Sequence, residues 1–254
     1  VVDYIAGIKR PFTQIKKLVI AVLLMIFPII NFFSFGYVFL CGRYSMSQAY
    51  NLPEWKGNFA KCFKQGFFGL IILIIYYLPA VLFTTYIFYK VFTTLIAAES
   101  VFELAQLVGV GQMFLLAILL FLICAYFAPA AVLNYVSNEK LSSAFDFKLL
   151  SKRTINKYYF KAWLISSAYS FALFGAYFIM SYYLIFPIIS LGIIGDVIGS
   201  TILVLLQGIV IVSTSITKYT LLGESFAEVY YTKKREEEIK KAKIIPTIRE
   251  TREF

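Results

Sequence analysis

Five stretches of this sequence carry no charged side chain: 18–42, 65–89, 104–138, 162–195 and 197–217. A helix crosses the hydrocarbon core of a bilayer with ~20 apolar residues. Inside that core every backbone polar group must be satisfied within the structure, so long uncharged runs point to spanning helices. Hydrophobic residues make up 60% of the chain and charged residues 15%, against ~25% charged in an ordinary soluble domain. The fold expected is an all-α, polytopic integral membrane bundle.

The basic residues decide how the runs are threaded, because cytoplasmic loops hold the Lys and Arg. Lys9, Arg10, Lys16 and Lys17 lie in the N-terminal arm, and Arg43, Lys56, Lys61 and Lys64 follow the first run. Six more fall in 139–161, and a further group begins at Lys218. Of the 24 basic residues only Lys90 falls elsewhere, provided that the arm and 43–64 share a side. A single crossing by 18–42 would separate them. Two full crossings do not fit either, since at ~1.5 Å per residue this run is only about 37 Å long. The expectation is therefore about four full spans plus an N-terminal re-entrant hairpin, broken near Pro28–Asn31, with both termini cytoplasmic in a multi-pass cell-membrane protein. The alternative is a fifth simple span with the N-terminus outside. The first run lacks a small-residue cleavage site and is expected to be retained rather than removed as a signal.

A repeat supports the hairpin. The pentapeptide Ile-Phe-Pro-Ile-Ile occurs at Ile26–Ile30 and again at Ile185–Ile189, and Tyr77-Leu78-Pro79 places a third Pro in another outward run. Phe145–Arg153 and Phe226–Lys234 match as basic, partly amphipathic segments, with Phe59–Lys64 a weaker copy. The reading is a transmembrane domain over 1–223 made of three hairpin-like repeats (about 8–64, 65–155 and 156–232), then a charged cytosolic helix and tail over 224–254. Basic interfacial helices suit a bilayer surface of anionic head groups. The Tyr pairs 76/77, 158/159, 182/183 and 230/231 suit the aromatic belts of the head-group level. In the tail, Glu236/Lys240 and Glu237/Lys241 stand at i,i+4, and Pro246 is expected to end the helix.

The chemistry of catalysis is missing from the sequence. It contains no His, the commonest metal ligand and general base. No Gly-rich phosphate loop or Cys cluster occurs. Cys41, Cys62 and Cys124 read as small packing residues. Asp196 and Lys90 read as boundary residues, and Glu99/Glu103 as solvated surface with a weak resemblance to a cation site. Hydroxyls such as Ser166, Ser170, Thr201 and Ser213, with Gly192, Gly195, Gly199 and Gly208, suit close helix packing and interhelical hydrogen bonds. A net charge of +10 reads as membrane orientation, with no nucleic-acid motif beside it.

The N-terminal third carries a resemblance. Phe27-Pro28-Ile29-Ile30-Asn31-Phe32, then Gly36-Tyr37, then Leu52-Pro53-Glu54-Trp55 with Phe63 and Gly66 resembles a mainly archaeal membrane family, domain-of-unknown-function family 4013. The resemblance covers residues 8–90, with the remainder alike in span order only, and Lys56-Gly57-Asn58 departs from the pattern. It implies a membrane protein and no assigned activity. The positions singled out are Pro28, Asn31, Gly36, Arg43, Pro53, Glu54 and Trp55. Asn31 would satisfy freed backbone groups at the tip or face a cavity. Pro53-Glu54-Trp55 would open an interfacial helix, and Glu54 would latch to Arg43. No enzyme activity, metal or cofactor is expected. The leading expectation is a structural or accessory subunit of a larger membrane assembly, its partner met by apolar helix faces or by the tail 233–254. The alternative is a channel or transporter for lipid or a small solute.

Overall fold

The structure, a computed structural model, describes residues 2–97, 108–190 and 192–250, with side chains for 2–94, 96, 111–190 and 192–228. Among these residues it is helical without any strand. Helix α1 (Tyr4–Lys9) and a 3-10 turn lead into α2 (Ile15–Ile26) and α3 (Asn31–Met46). Then come α4 (Phe59–Ala97), α5 (Val108–Asn138) and, after another 3-10 turn, the short α6 (Phe147–Thr154). Helix α7 (Lys157–Met180) runs on through a π-helical turn at Ser181–Ile185 into a last turn at Phe186–Ile189, and α8 (Ile193–Glu250) closes the chain. Four stretches are long and apolar enough to cross a membrane: Phe59–Thr94, Gly111–Asn138, Lys157–Ile189 and Ile193–Glu228. Their outward faces are large and apolar, from Ile74 and Leu82 to Phe171, Phe178 and Ile193, a surface that suits hydrocarbon and not water.

The first uncharged run is not one helix. Helix α2 has 12 residues and α3 has 16, about 18 and 24 Å at 1.5 Å per residue, both short of the ~30 Å core. The turn between them closes its own backbone, with Ile30 N–H donating to Pro28 O at 2.8 Å and Asn31 N–H to Phe27 O at 2.9 Å. Ile29 takes φ 70° to do so. Val22 of α2 packs beside Gly208 of α8, and Ile26 lines one groove with Ser200, Thr201, Val204 and Leu205. The turn thus stops about two to three helical turns short of the Ile193 end of α8.

Helix α3 is the centre of the core: Tyr37, Val38, Phe39, Leu40 and Cys41 are all buried. Two glycine crossings let its backbone approach its neighbours. A Cβ on Gly36 would fall inside the Cys62 carbonyl of α4, as one on Gly66 would at Phe32, and a Cβ on Gly223 of α8 would strike the Gly42 carbonyl. These are the close backbone approaches that small residues permit.

The contacts at one end of the bundle join all four basic segments. Arg10 bonds to the 49–51 backbone, Lys61 pairs with Glu139, Arg153 lies over the Phe226 ring, and Lys161 lies over the Tyr4 ring. Asp3 N–H donates to Glu224 Oε2 at 3.0 Å.

Several local expectations are corrected. The hydroxyls turn back on their own helices: Ser170 donates to Ser166 O, Thr201 to Val197 O and Ser213 to Ile209 O, because the nearest acceptor in an apolar setting is a carbonyl one turn earlier. Aromatic donors make bonds between elements instead. Tyr76 reaches Ala144 O at 2.7 Å, Tyr126 reaches Thr154 O at 2.7 Å, and Tyr159 reaches Tyr126 O at 2.7 Å. Tyr159 is therefore buried and Tyr76 half-buried, while Tyr182 and Tyr183 are exposed. Pro129 lacks the N–H that would serve the Ala125 carbonyl one turn earlier, and Trp163 Nε1–H of α7 supplies a donor to that oxygen at 3.0 Å. Pro246 does not end α8, which continues to Glu250. Of the basic segments, Phe147–Thr154 is a separate helix capped by Asp146, Phe59–Lys64 opens α4, and 226–234 continues α8.

Candidate functional site

The polar residues gather at the basic end, around the foot of the α2–α3 hairpin. Arg10, only 2% exposed, sits in the 3-10 turn that redirects the chain from α1 into α2. Its Nε donates to Tyr50 O at 2.9 Å and its Nη2 to Ala49 O at 2.9 Å and Asn51 O at 3.1 Å. Its Nη1 donates to Cys41 O at 3.2 Å, to Thr220 Oγ1 at 3.0 Å and to Ser45 Oγ. No carboxylate is bonded to it among the described residues. Burial pulls its pKa down from the ordinary arginine value, and the more distant Glu224 opposes that shift. A guanidinium keeps its charge regardless, so neutral oxygens stand in for its lost water. One side chain thereby fastens α3, the loop after it and α8 to the N-terminal arm.

Beside it lies an aromatic clamp. The rings of Tyr37 and Trp55 stack at 4.1 Å. Tyr37 donates through its hydroxyl to Pro53 O at 3.1 Å, and Trp55 Nε1 donates to Lys17 O at 3.3 Å. Lys17 Nζ bonds Leu52 O at 2.9 Å and Glu54 Oε1 at 2.6 Å. Pro53-Glu54-Trp55 therefore does not open a helix. The segment is non-helical, held down by burial of Leu52 and Trp55 against α2 and α3, and α4 starts only at Phe59 after a turn with Gly57 at φ 81°.

Glu54 does not latch to Arg43, because Lys17 takes it. Arg43 pairs instead with Glu139, at the end of α5, which also meets Lys61 Nζ at 3.1 Å. The hydrogen bond from Arg43, with Lys61 behind it, holds the Glu139 carboxyl down at about 2. Gly36 serves the crossing with α4.

Pro28 and Asn31 lie at the opposite end of the hairpin, away from this cluster. The tip is apolar and uncovered, with Phe27, Ile29 and Ile30 exposed. The freed backbone groups are met by backbone carbonyls, so Asn31 is not needed for them, and its side chain makes no hydrogen bond among the described residues. Asp196 stands in the first turn of α8, accepting from Ser200 at 3.1 Å. Glu99 and Glu103 lie outside the described residues, as do the tail side chains of the Glu236/Lys240 and Glu237/Lys241 pairs. Among the described residues no three His, Cys, Asp or Glu groups converge on a metal position.

Sequence reasoning missed Arg10, Lys17 and Glu139. Glu139 left a trace, as the first charge after an uncharged run and an acid heading a basic segment. Arg10 left none, since a buried arginine and a solvated one read alike among cations.

Against known proteins, residues 19–182 match a family model described as protein of unknown function (DUF4013), well past the 8–90 over which the motifs were legible. No curated protein matches the chain, and neither does any solved structure.

Proposed function

This chain belongs to the DUF4013 family, and from that premise we propose that it is a non-catalytic structural or accessory subunit of a larger membrane assembly, both termini cytoplasmic and α2–α3 re-entrant. The observation that carries the reading is the outward face of α7. Only 11% of its most apolar window is buried. Ala168, Ala172 and Ala176 recur every fourth residue along it, and all three are exposed. Gly175 beside them has open space where a Cβ would stand. Small residues at this spacing let a second transmembrane helix approach closely, which hydrocarbon alone does not require. The flanking Phe171 and Phe178 would close over such a helix. Buried Arg10, Tyr37 and Tyr159 spend their hydrogen bonds joining separate elements, which supports an architectural role.

The test is purification of the tagged protein in gentle detergent from its native membranes, with the co-purifying chains quantified by mass spectrometry. A stoichiometric partner is expected, lost on Ala172→Leu with the tagged chain still folded. Purification alone, or a partner held equally by Ala172→Leu and by a chain lacking 233–254, overturns the reading. Isolation alone would favour a channel or transporter.

A further inference from the structure

We propose that the cavity between α4 and α5 at the basic end is a binding site for the phosphoryl head group of a membrane lipid. The cavity has a volume of about 260 Å³ and is lined by Ala60, Lys61, Lys64, Gln65, Tyr135 and Glu139. A single water accounts for only ~30 Å³ of liquid, so the space admits a group of several heavy atoms.

Two buried polar side chains border it without partners. Gln65 is 3% exposed, and its Oε1 is sealed from solvent with nothing bonded to it. Its amide nitrogen makes no hydrogen bond among the described residues either, so exchanging the two ends of the amide changes nothing. Tyr135, likewise 3% exposed, makes no hydrogen bond through its hydroxyl among the described residues. A sealed acceptor left without a donor is destabilising, and one, the Gln65 oxygen, adjoins this cavity with Tyr135 beside it.

The charges name the ligand. Lys64 has no ion pair among the described residues, Lys61 and Arg43 share the single carboxylate of Glu139, and the cluster therefore carries an excess of positive charge. Phosphoryl oxygens would accept from Lys64, Tyr135 and the Gln65 amide. The Gln65 oxygen and Glu139 would receive a hydroxyl or ammonium on the same head group. One turn further along α4, Phe67 is exposed and Phe68 half-buried, apolar surface on which acyl chains can lie. This places a lipid, and not free phosphate, in the site.

The experiment is a titration of the full-length protein in detergent, read by native mass spectrometry and by melting temperature. The probes are dioctanoyl phosphatidylglycerol, dioctanoylglycerol, glycerol 1-phosphate and inorganic phosphate. Phosphatidylglycerol is expected to bind one per chain and to raise the melting temperature, with the other three at least tenfold weaker. Lys64→Ala and Gln65→Leu should each weaken it at least tenfold, and Lys148→Ala, on the separate helix α6, should not. Gln65→Leu keeps the volume and removes the orphaned amide, so without lipid it should melt no lower than wild type while losing the lipid-induced shift. Equal binding of inorganic phosphate would assign the site to a soluble anion and overturn the lipid. Phosphatidylglycerol binding untouched by Gln65→Leu and Lys64→Ala would overturn the site itself.

Discussion

At the scale of single residues, the charges at the basic end differ in how firmly they are held. Arg10 is enclosed and satisfied by six oxygens from three parts of the chain, whereas Glu139 is open to water and held only by its two cations. That exposure screens the pair and limits its worth. Its pH dependence still has a definite sign. A carboxylate whose folded pKa is depressed adds stability above its ordinary value, and that stability is lost as pH falls toward the folded value. For Glu139 the window runs from the ordinary 4.5 down to about 2. Melting curves from pH 5 to pH 2 should show Glu139→Gln losing less stability than wild type. Parallel losses would mean that the pair contributes nothing to the fold. Which cation Glu139 would meet was not legible in the sequence, where Glu54 and Arg43 were the nearer pair. Helix packing set that choice, by bringing Lys17 to Glu54 and the end of α5 to Arg43.

At the scale of the element, prolines show how far one sequence can serve two structures. Ile-Phe-Pro-Ile-Ile reverses the chain at 26–30, with Ile29 at φ 70°. At 185–189 the same letters continue a helix after a π-helical turn. A β-branched residue in the left-handed region is costly, ~1–2 kcal/mol, and persists at Ile29 because α2 and α3 both dock on α8 and can be joined only by a tight turn. Pro129 poses the opposite case, a helix that continues although one carbonyl loses its donor. Trp163 and Pro129 should therefore be coupled. Trp163→Phe is expected to cost about 1–3 kcal/mol by orphaning the Ala125 oxygen. In the Pro129→Ala background, where the backbone N–H returns, the same change should cost clearly less. A double-mutant cycle of melting midpoints measures this, and strictly additive effects would refute the pairing.

For the whole molecule, the threading follows from which segments share an end. The bonds from Arg10 to the 49–51 backbone tie the arm before α2 to the loop after α3. If α2–α3 is re-entrant, as proposed, cysteines placed at Lys9 and at Ser47 should react alike with a membrane-impermeant thiol reagent. Both are expected to be protected in intact cells and modified after permeabilisation. Modification of Lys9→Cys alone from outside would make 18–42 a simple span. Four membrane-length helices, the break in the first run and the family were legible because they depend on composition, on uncharged length and on local motifs. The uncharged runs are a one-dimensional property, and water's rejection of apolar surface acts on them whatever their neighbours. Only the tertiary structure decided that α3 is the buried centre, that Tyr and Trp donors join elements where hydroxyls were expected to, and that Gln65 and Tyr135 face a cavity unpaired. Those outcomes depend on which helix faces meet, and between faces of similar apolarity the choice rests on backbone approach at Gly36, Gly66 and Gly223 and on donor geometry, which exist only once the chain is folded.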